Sequence, residues 1–171
     1  DNCLWSPPNV GEPWMEELHG FSWISDLHMV GSDAARLRAR ALVADWIAHH
    51  GRWSSVAWRS DILGTRIASW LGRYDFFCAS ADELFRKNFF SSLNRQIKHL
   101  ARTATKEADG ARRFFAIKGL IYAGVCLPSG KGILAKGMCF LKQEIDRQIL
   151  ADGCHYERSP RLQLMLLRLF I

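Results

Sequence analysis

The sequence predicts an all-α fold made of stacked αα-hairpins. Apolar residues recur at intervals of three and four along most of the 171-residue chain, which is the spacing of one helix face. No segment alternates apolar and polar residues for long enough to predict a β-sheet. Short turns separate the periodic segments, as in antiparallel helical hairpins. We therefore expect about seven helices in a single domain.

Three helices are predicted in the first half of the chain, after an irregular entry segment over residues 1–13. The first runs from Trp14 to Met29 on apolar residues three and four positions apart. The second runs from Ala34 to His49 and stops at a glycine, and the third runs from Asp61 to Phe77. A loop that carries two tryptophans connects the second helix to the third.

Four more helices are predicted in the second half. Ser80 is expected to cap a long fourth helix that ends near Ala104. The fifth is predicted from Arg112 to Leu127, where a Pro-Ser-Gly sequence ends it, and the sixth from Ile133 to Leu150. The seventh begins at Ser159, because Ser-Pro is typical of an N-cap followed by the first helical position.

The chain is basic, with a formal net charge of +6 and a pI of about 9.3. A basic surface favours polyanionic partners, namely nucleic acid, an anionic membrane or an acidic polysaccharide. The excess is concentrated in one segment, whose Lys and Arg residues are Arg86, Lys87, Arg95, Lys98, Arg102, Lys106, Arg112, Arg113 and Lys118. For any single member of this run, a solvated helix face is the simpler explanation.

Cysteine usage gives no sign of a metal site. The five cysteines form no Cys-x-x-Cys pair and no metal-ligand spacing; they are Cys3, Cys78, Cys126, Cys139 and Cys154. We expect them to be mostly small buried hydrophobic residues, a pattern that favours a reducing compartment.

No cofactor and no membrane span are predicted. The segment from Gly124 to Lys131 is one residue too long for a phosphate-binding loop, and Gly132 stands where that loop needs Ser or Thr. The chain has no apolar run long enough to cross a bilayer and no signal peptide. Because it begins at Asp1 and ends within an apolar helical pattern, we expect it to be part of a longer protein.

The segment Gln148–Pro160 holds the densest group of side chains that can do chemistry. Asp152, His155, Glu157 and Arg158 lie within seven residues there, next to an Asp-Gly turn signal. Two interpretations are open. The segment is either a corner between two helices with solvated charges or a functional site.

Four segments, in order along the chain, resemble one protein family. They are Glu17–Ile24 (ELHGFSWI), Trp58–Trp70 (W-R-x-D-x-x-x-x-R-I-x-x-W), Glu107–Gly124, and Gln148–Pro160 with its run I-L-x-D-G-x-H-x-E-R-S-P. Each is similar to a stretch of the heparinase II/III polysaccharide lyases. The resemblance covers nearly the whole chain.

The resemblance implies part of an incomplete (α/α) toroid, which in that family precedes a β-sandwich domain that this chain lacks. It also implies an acidic, uronate-containing polysaccharide as partner and cleavage by β-elimination. In that reaction one group neutralises the uronate carboxylate, a Tyr or His removes the C5 proton, and an acid protonates the leaving oxygen. Family members usually work in the cell envelope, so the resemblance favours the envelope or periplasm, while the missing signal peptide leaves the cytoplasm open.

Three positions depart from the family pattern. The carboxylate-neutralising Asn of the family falls on Ala111, and its Tyr-His pair falls on Leu162 and Gln163. Alanine has no polar side-chain atom, leucine cannot act as a base, and glutamine does not titrate. The catalytic positions that the resemblance would carry over are therefore lost in this chain.

Two hypotheses for the chemistry follow. In the first, the chain is lyase-like: Arg112 neutralises the carboxylate as a charge-assisted donor, and His155 acts as the base, oriented by Glu157. In the second, the chemistry is lost and the chain is a carbohydrate-binding remnant, in which His155 and Glu157 cap the adjoining helices.

Substrate binding is assigned to basic and aromatic residues, which the aromatic-rich, basic composition and the resemblance both favour: Trp58, Arg59, Arg66 and Lys118, with Trp53 beside them in the non-catalytic case. A basic nucleic-acid binder is the least favoured alternative, because no helix-turn-helix or other recognition signature is present.

Overall fold

The computed structural model describes residues 4–106 and 109–170. Within these ranges the chain forms nine α-helices: α1 (Glu12–Gly20), α2 (Ile24–Val30), α3 (Asp33–His50), α4 (Ser60–Gly72), α5 (Tyr74–Cys78), α6 (Glu83–Thr103), α7 (Arg112–Cys126), α8 (Lys131–Gln148) and α9 (Pro160–Phe170). The β-structure of the described residues is one isolated antiparallel bridge between Ile149 and His155. The all-α prediction is therefore confirmed. Cys3, Glu107 and Ala108 lie outside the described residues.

Two of the predicted helices are each divided in two. The helix predicted from Trp14 to Met29 is interrupted at Phe21, whose φ of 60° is left-handed. The Phe21 ring is fully buried and lies 5.2 Å from the ring of Trp70. Because α1 and α2 both bury their apolar residues in the same core, apolar residues keep recurring three and four positions apart on both sides of Phe21. Periodicity in the sequence therefore could not reveal the break.

The helix predicted from Asp61 to Phe77 is divided in the same way. Arg73, with φ −123° and ψ 17°, ends α4, and the short helix α5 follows it. Ser80 does not cap the long helix α6, as predicted. Asp82 does so instead, because its Oδ1 accepts a hydrogen bond of 2.7 Å from the backbone N–H of Phe85.

The helices α4 and α7 form the most extensive interface of the fold. They approach closely because glycines meet there: a Cβ on Gly64 would lie 2.3 Å from the carbonyl oxygen of Phe115, and one on Gly119 would lie 2.5 Å from the Cα of Gly64. Helix α8 packs on the other side of α7, again through close contacts at glycines. The order α4, α7, α8 gives the stacking that the sequence predicts.

Most of the tryptophans serve the core. Trp5, Trp46 and Trp70 are buried with Phe21, Phe77 and Phe89 in one aromatic cluster, to which α3, α4, α5 and α6 each contribute a ring. Trp53 is different, because 68% of its surface is exposed. None of the helices within the described ranges is long and apolar enough to cross a membrane.

The cysteine prediction is wrong at two positions. Cys78 is buried, and burial raises the pKa of its thiol to about 12. Cys126 and Cys139 are exposed, since each lies on the outward side of its helix, and Cys154 is half-buried. Helical periodicity alone placed them in or beside apolar patterns and could not show which face would find a partner.

Candidate functional site

The segment between α8 and α9 folds into a tight loop closed by its own backbone. The N–H of Leu150 donates to the carbonyl of Cys154 at 2.8 Å, and the N–H of Tyr156 donates to that of Gln148 at 2.9 Å. Gly153 adopts φ 82°, the left-handed conformation that the Asp-Gly turn needs. The turn prediction is confirmed here, and the loop holds His155 inward.

His155 is buried, with 1% of its surface exposed, and both ring nitrogens are engaged. The backbone N–H of Glu157 donates to Nδ1 at 3.2 Å, and Nε2 lies 2.8 Å from Oε1 of Gln148. Because a backbone N–H can only donate, Nδ1 is an acceptor and the ring carries its proton on Nε2. The one lone pair that a neutral histidine offers a substrate is therefore occupied, and His155 is not placed to act as a base.

A buried polar network extends from His155 to α7. The Nε2 amide of Gln148 donates to Oε2 of Glu144 at 2.6 Å and to the carbonyl of Gly110 at 2.9 Å. Glu144 in turn accepts from Nη1 of Arg113 at 2.8 Å. Such a satisfied network fixes the position of the loop against α7 and α8. The structure thus gives His155 a role in joining these elements.

The ion pairs of Arg112 connect it to carboxylates of α1 and α4. The guanidinium of Arg112 is 56% exposed and lies 3.4 Å from a carboxylate oxygen of Glu16 and 3.9 Å from one of Asp61. Glu157 is exposed and contacts His155 through its backbone N–H. The orienting contact is thus made by the backbone of Glu157, while the predicted orienting role of its carboxylate stays a prediction.

The positions that depart from the family pattern serve packing and the loop. Ala111 is buried and Leu162 packs on a small apolar cluster with Phe114. Gln163 accepts a hydrogen bond of 2.9 Å from the backbone N–H of His155 and donates one of 3.2 Å to the carbonyl of Gly153. Gln163 thereby attaches the loop to α9.

Arg59 is neutralised by carboxylates of the protein. Its guanidinium pairs with Asp61 at 2.7 Å and also with Glu12 and Glu16 of α1. The hydrogen bond to Asp61, followed by those to the other carboxylates, raises the pKa of Arg59. An arginine surrounded by three carboxylates attaches α1 to α4 and offers little attraction to a uronate.

Arg66 and Trp58 are core residues, and this burial does not favour the substrate binding predicted for them. Arg66 has no exposed surface; its guanidinium lies 4.0 Å over the ring of Trp46 and donates to the carbonyl of His19 and to Oε1 of Gln96, both at 2.8 Å. Trp58 is 6% exposed, and its Nε1–H donates to the carbonyl of His50 at 3.0 Å.

His19 lies beside Arg66 and stays neutral. Its Nδ1 accepts a hydrogen bond of 3.0 Å from Nε1 of Trp46. Burial, with the nearby positive charges of His50 and Arg66, lowers the pKa of His19 to about 4. The folded protein therefore resists protonation of this ring.

We expect the free energy of unfolding to fall by about 3 kcal/mol between pH 7.5 and pH 4 on account of His19. The unfolded chain binds the proton below its ordinary pKa of 6.5 and the native chain only below about 4, so protons favour unfolding in this window. Urea unfolding at a series of pH values measures the slope. His19→Gln should flatten it, while the half-exposed control His49→Gln should keep it; equal slopes in all three proteins would contradict the prediction.

A groove lies where α4, α7 and α9 meet. One cavity, of about 280 Å³, is lined by Arg73, Phe115, Lys118 and Tyr122 with hydroxyl-bearing Ser22, Thr65 and Ser69. A second cavity, of about 310 Å³, shares Lys118 and Tyr122 and continues between α7 and α8 over apolar side chains. Leu169 of α9 lines both cavities, so they adjoin.

Two cations of the groove have no carboxylate partner within residues 4–106 and 109–170. Burial lowers the pKa of Lys118, whose Nζ lies 5.7 Å from the centre of the Tyr122 ring. Arg73 donates from Nη1 to the carbonyl of Gly72 at 3.1 Å. A partly desolvated ammonium without a counter-ion gains from an anionic ligand, so the groove is suited to one.

Sequence reasoning placed Lys118 among the binding residues but missed Arg73 and Tyr122. The spacing of Lys118 and Tyr122, four residues apart on one helix, was a readable signal for a shared face. Arg73 carried no such signal, because its position depends on the break between α4 and α5. Among the described side chains, no three His, Cys, Asp or Glu residues form a group that could hold a metal ion.

Two solved structures share this fold over 99% of the chain. The heparan sulfate lyase HepC mutant from Pedobacter heparinus matches with a TM-score of 0.76 at 19% identity, and the chain covers 29% of it. The heparinase III BT4657 gene product matches with a TM-score of 0.74 at 17% identity, and the chain covers 31% of it. These likenesses confirm the predicted part-toroid fold.

Two sequence comparisons point the same way. The FtsZ-localized protein C of Caulobacter vibrioides (strain NA1000 / CB15N) is 30% identical over 152 residues, which are 88% of this chain and 26% of that protein. The chain thus spans between a quarter and a third of the length of the relatives named here. The sequence profile described as Heparinase II/III N-terminus matches residues 12–171. The chain belongs to the heparinase II/III family, whose N-terminal helical region it represents.

Proposed function

We propose that this chain binds an acidic, uronate-containing polysaccharide in the groove around Lys118 and supplies no catalytic base for its cleavage. The observation that carries the proposal is that Lys118 and Arg73 line the same cavity. Neither cation has a carboxylate partner among the described residues, and Lys118 is partly buried. A uronate carboxylate is the counter-ion that these two cations lack. The chain is then the binding part of a lyase-like protein.

The rest of the groove supports a sugar ligand. Tyr122 and Phe115 offer aromatic surface for the apolar face of a sugar ring, and Ser69 offers a hydroxyl group for its polar edge. The hydroxyls of Ser22 and Thr65 donate to Glu17 and to the carbonyl of Asp61, so toward a ligand they can act as acceptors. The groove is open along α7 toward the second cavity, so a linear polymer can extend through it. The cell-envelope location and a following β-sandwich domain stay predictions.

The burial of His155 supports the non-catalytic part of the proposal. Its Nδ1 is occupied by the backbone of Glu157, and the family's Tyr-His positions hold Leu162 and Gln163. Any β-elimination by the protein would then depend on residues other than these three. The runner-up, a lyase with His155 as base, requires the loop to release that nitrogen.

We expect Lys118→Ala and Arg73→Ala each to weaken binding of heparan sulfate by about tenfold, because each removes one charge-assisted contact. Isothermal titration calorimetry with the purified protein measures the affinity. Lys136→Ala is the matched control, since Lys136 makes the same lysine–aromatic contact with Phe140, 5.5 Å from the ring centre, away from the groove cavities. Unchanged affinity in both groove variants would refute the proposal.

The catalytic part has its own readout. The ultraviolet absorbance of the unsaturated uronate product reports β-elimination directly. We expect His155→Gln to leave any such product formation by the protein unchanged, because an amide can replace the buried hydrogen bonds but not a base. Loss of product formation in a folded His155→Gln protein would restore His155 as the base.

A further inference from the structure

The exposed face of α6 carries a line of positive charge that the groove does not use. Lys87, Arg95, Lys98 and Arg102 are all exposed. At 100° per residue they fall within an arc of about 80°, and they extend along about 22 Å of the helix. We call these four residues the α6 basic face. The opposite face of α6 is buried in the core through Phe89, Leu93, Ile97 and Leu100.

Apart from Glu83, one turn before Lys87, α6 contributes no acidic residue beside this face. The sequence from Leu84 to Lys106 contains no Asp or Glu. In the part of the chain that the structure describes, none of the four cations forms an ion pair, whereas Arg36, Arg59, Arg112, Arg113 and Arg158 do. The paired arginines lie on other elements of the fold, and the four cations of the α6 basic face have no such partner within the described ranges. The field of this face attracts an extended polyanion.

An exposed tryptophan lies beside the α6 basic face. A Cβ added to Gly51 would lie 3.5 Å from Nη2 of Arg95. The ring of Trp58 lies edge-on to the ring of His99 in α6, with 5.3 Å between the ring centres. The loop between α3 and α4 is thus held against α6, and Trp53 projects from it with 68% of its surface exposed. Arg52, also exposed, adds a fifth cation next to it.

The chemistry of this surface favours a sugar polymer over other polyanions. A single exposed tryptophan offers one flat surface for a sugar ring, whereas single-stranded nucleic acids are held by successive aromatic side chains. A bilayer needs an apolar face to insert, but the apolar face of α6 lies in the core and Leu84 is its one exposed large apolar residue within the described ranges.

We propose that the α6 basic face, with Arg52 and Trp53, is a second contact for the same acidic polysaccharide. The proposal rests on the proposed function. None of its residues lines the two groove cavities, so the surfaces are separate. Two contacts on one polymer make the second binding event intramolecular, and long chains then bind more tightly than short ones.

The test compares heparan sulfate polymer with a heparan sulfate tetrasaccharide. We expect the triple variant Arg95→Glu/Lys98→Glu/Arg102→Glu to weaken binding of the polymer by about tenfold or more and to reduce its salt dependence. Trp53→Ala should weaken polymer binding without changing the salt dependence. Binding of the tetrasaccharide in the groove should be unchanged in both.

The control variant Lys131→Glu/Lys136→Glu/Lys142→Glu makes the same change in net charge on exposed positions of α8. An equal loss of polymer affinity in this control would overturn the proposal, because net charge alone would explain it. The proposal would also be overturned if the α6 variant kept its affinity for the polymer but lost binding to phosphatidylglycerol vesicles or to duplex DNA. That result would assign the face to a membrane or to nucleic acid. A failure of the proposed function is distinguishable, because tetrasaccharide binding would then be the same in the Lys118→Ala variant and the parent protein.

Discussion

Replacing Gly64 by alanine is expected to lower the free energy of unfolding by about 3 kcal/mol or more. The added Cβ would lie 2.3 Å from the carbonyl oxygen of Phe115 and 2.6 Å from the Cα of Ala116. Both are backbone atoms of α7, so no side chain can rotate away. The two helices would have to separate along the most extensive interface of the fold, which opens gaps in the packing around Gly119 as well.

Chemical denaturation of Gly64→Ala and of a matched glycine variant measures this effect. Gly132 lies within α8, and a Cβ there would meet nothing within 4 Å. Gly132→Ala should therefore be neutral or stabilise the protein by up to about 1 kcal/mol, because alanine favours a helix over glycine. If both variants unfold at the same denaturant concentration as the parent protein, the close packing of α4 on α7 is not what the structure indicates.

Replacing Arg66 by alanine is expected to cost about 3–5 kcal/mol of stability. The side chain is fully buried, its guanidinium stacks on Trp46, and it satisfies the carbonyl of His19 and the amide oxygen of Gln96. Alanine would leave a void between large rings and two acceptors without their donor. The charge itself is costly, since burial lowers the pKa of Arg66 well below its ordinary value.

Arg66→Met separates packing from hydrogen bonding. Methionine fills most of the same volume without charge, so we expect it to lose less stability than alanine, because both variants remove the charge and its hydrogen bonds but methionine leaves a smaller void. Arg38→Ala, on the exposed side of α3, is the control and should change stability by less than about 0.5 kcal/mol. An Arg66→Ala protein as stable as this control would contradict the structural role of Arg66.

The helices were predictable because their apolar faces repeat with helical spacing. The bounds of α3, α7 and α8 agree with the predictions to within two residues. The breaks at Phe21 and Arg73 were not predictable, since one residue in a non-helical conformation leaves the apolar spacing on both sides intact. Asp82, and not Ser80, caps α6 because the helix begins at Glu83, while the hydroxyl of Ser80 accepts a hydrogen bond from the distant Arg40 of α3.

The candidate site was predictable only in part. Lys118 was assigned to binding from its sequence context, and the structure places it on both cavities of the groove. Arg59, Arg66 and His155 are also side chains that can bind or react, yet each is already engaged within the protein. Arg59 pairs with carboxylates of α1 and α4, Arg66 lies in the aromatic core, and His155 contacts Gln148 and the loop backbone. A sequence shows which side chains can bind or react, but not which of them the fold has already satisfied.

By itself, the sequence determined the all-α class, the heparinase II/III family and the basic character of α6, because periodicity, motif order and charge are properties of the chain. Only the tertiary structure decided which cations are free. Arg66 is enclosed by Trp46, Gln96 and the carbonyl of His19, and Glu12 and Glu16, which lie 47 and 43 positions away, join Asp61 in neutralising Arg59. Lys118, Arg73 and the α6 basic face have no carboxylate partner within the described ranges. The physical reason is that a charge is screened by whatever lies next to it in space, and folding sets that neighbourhood.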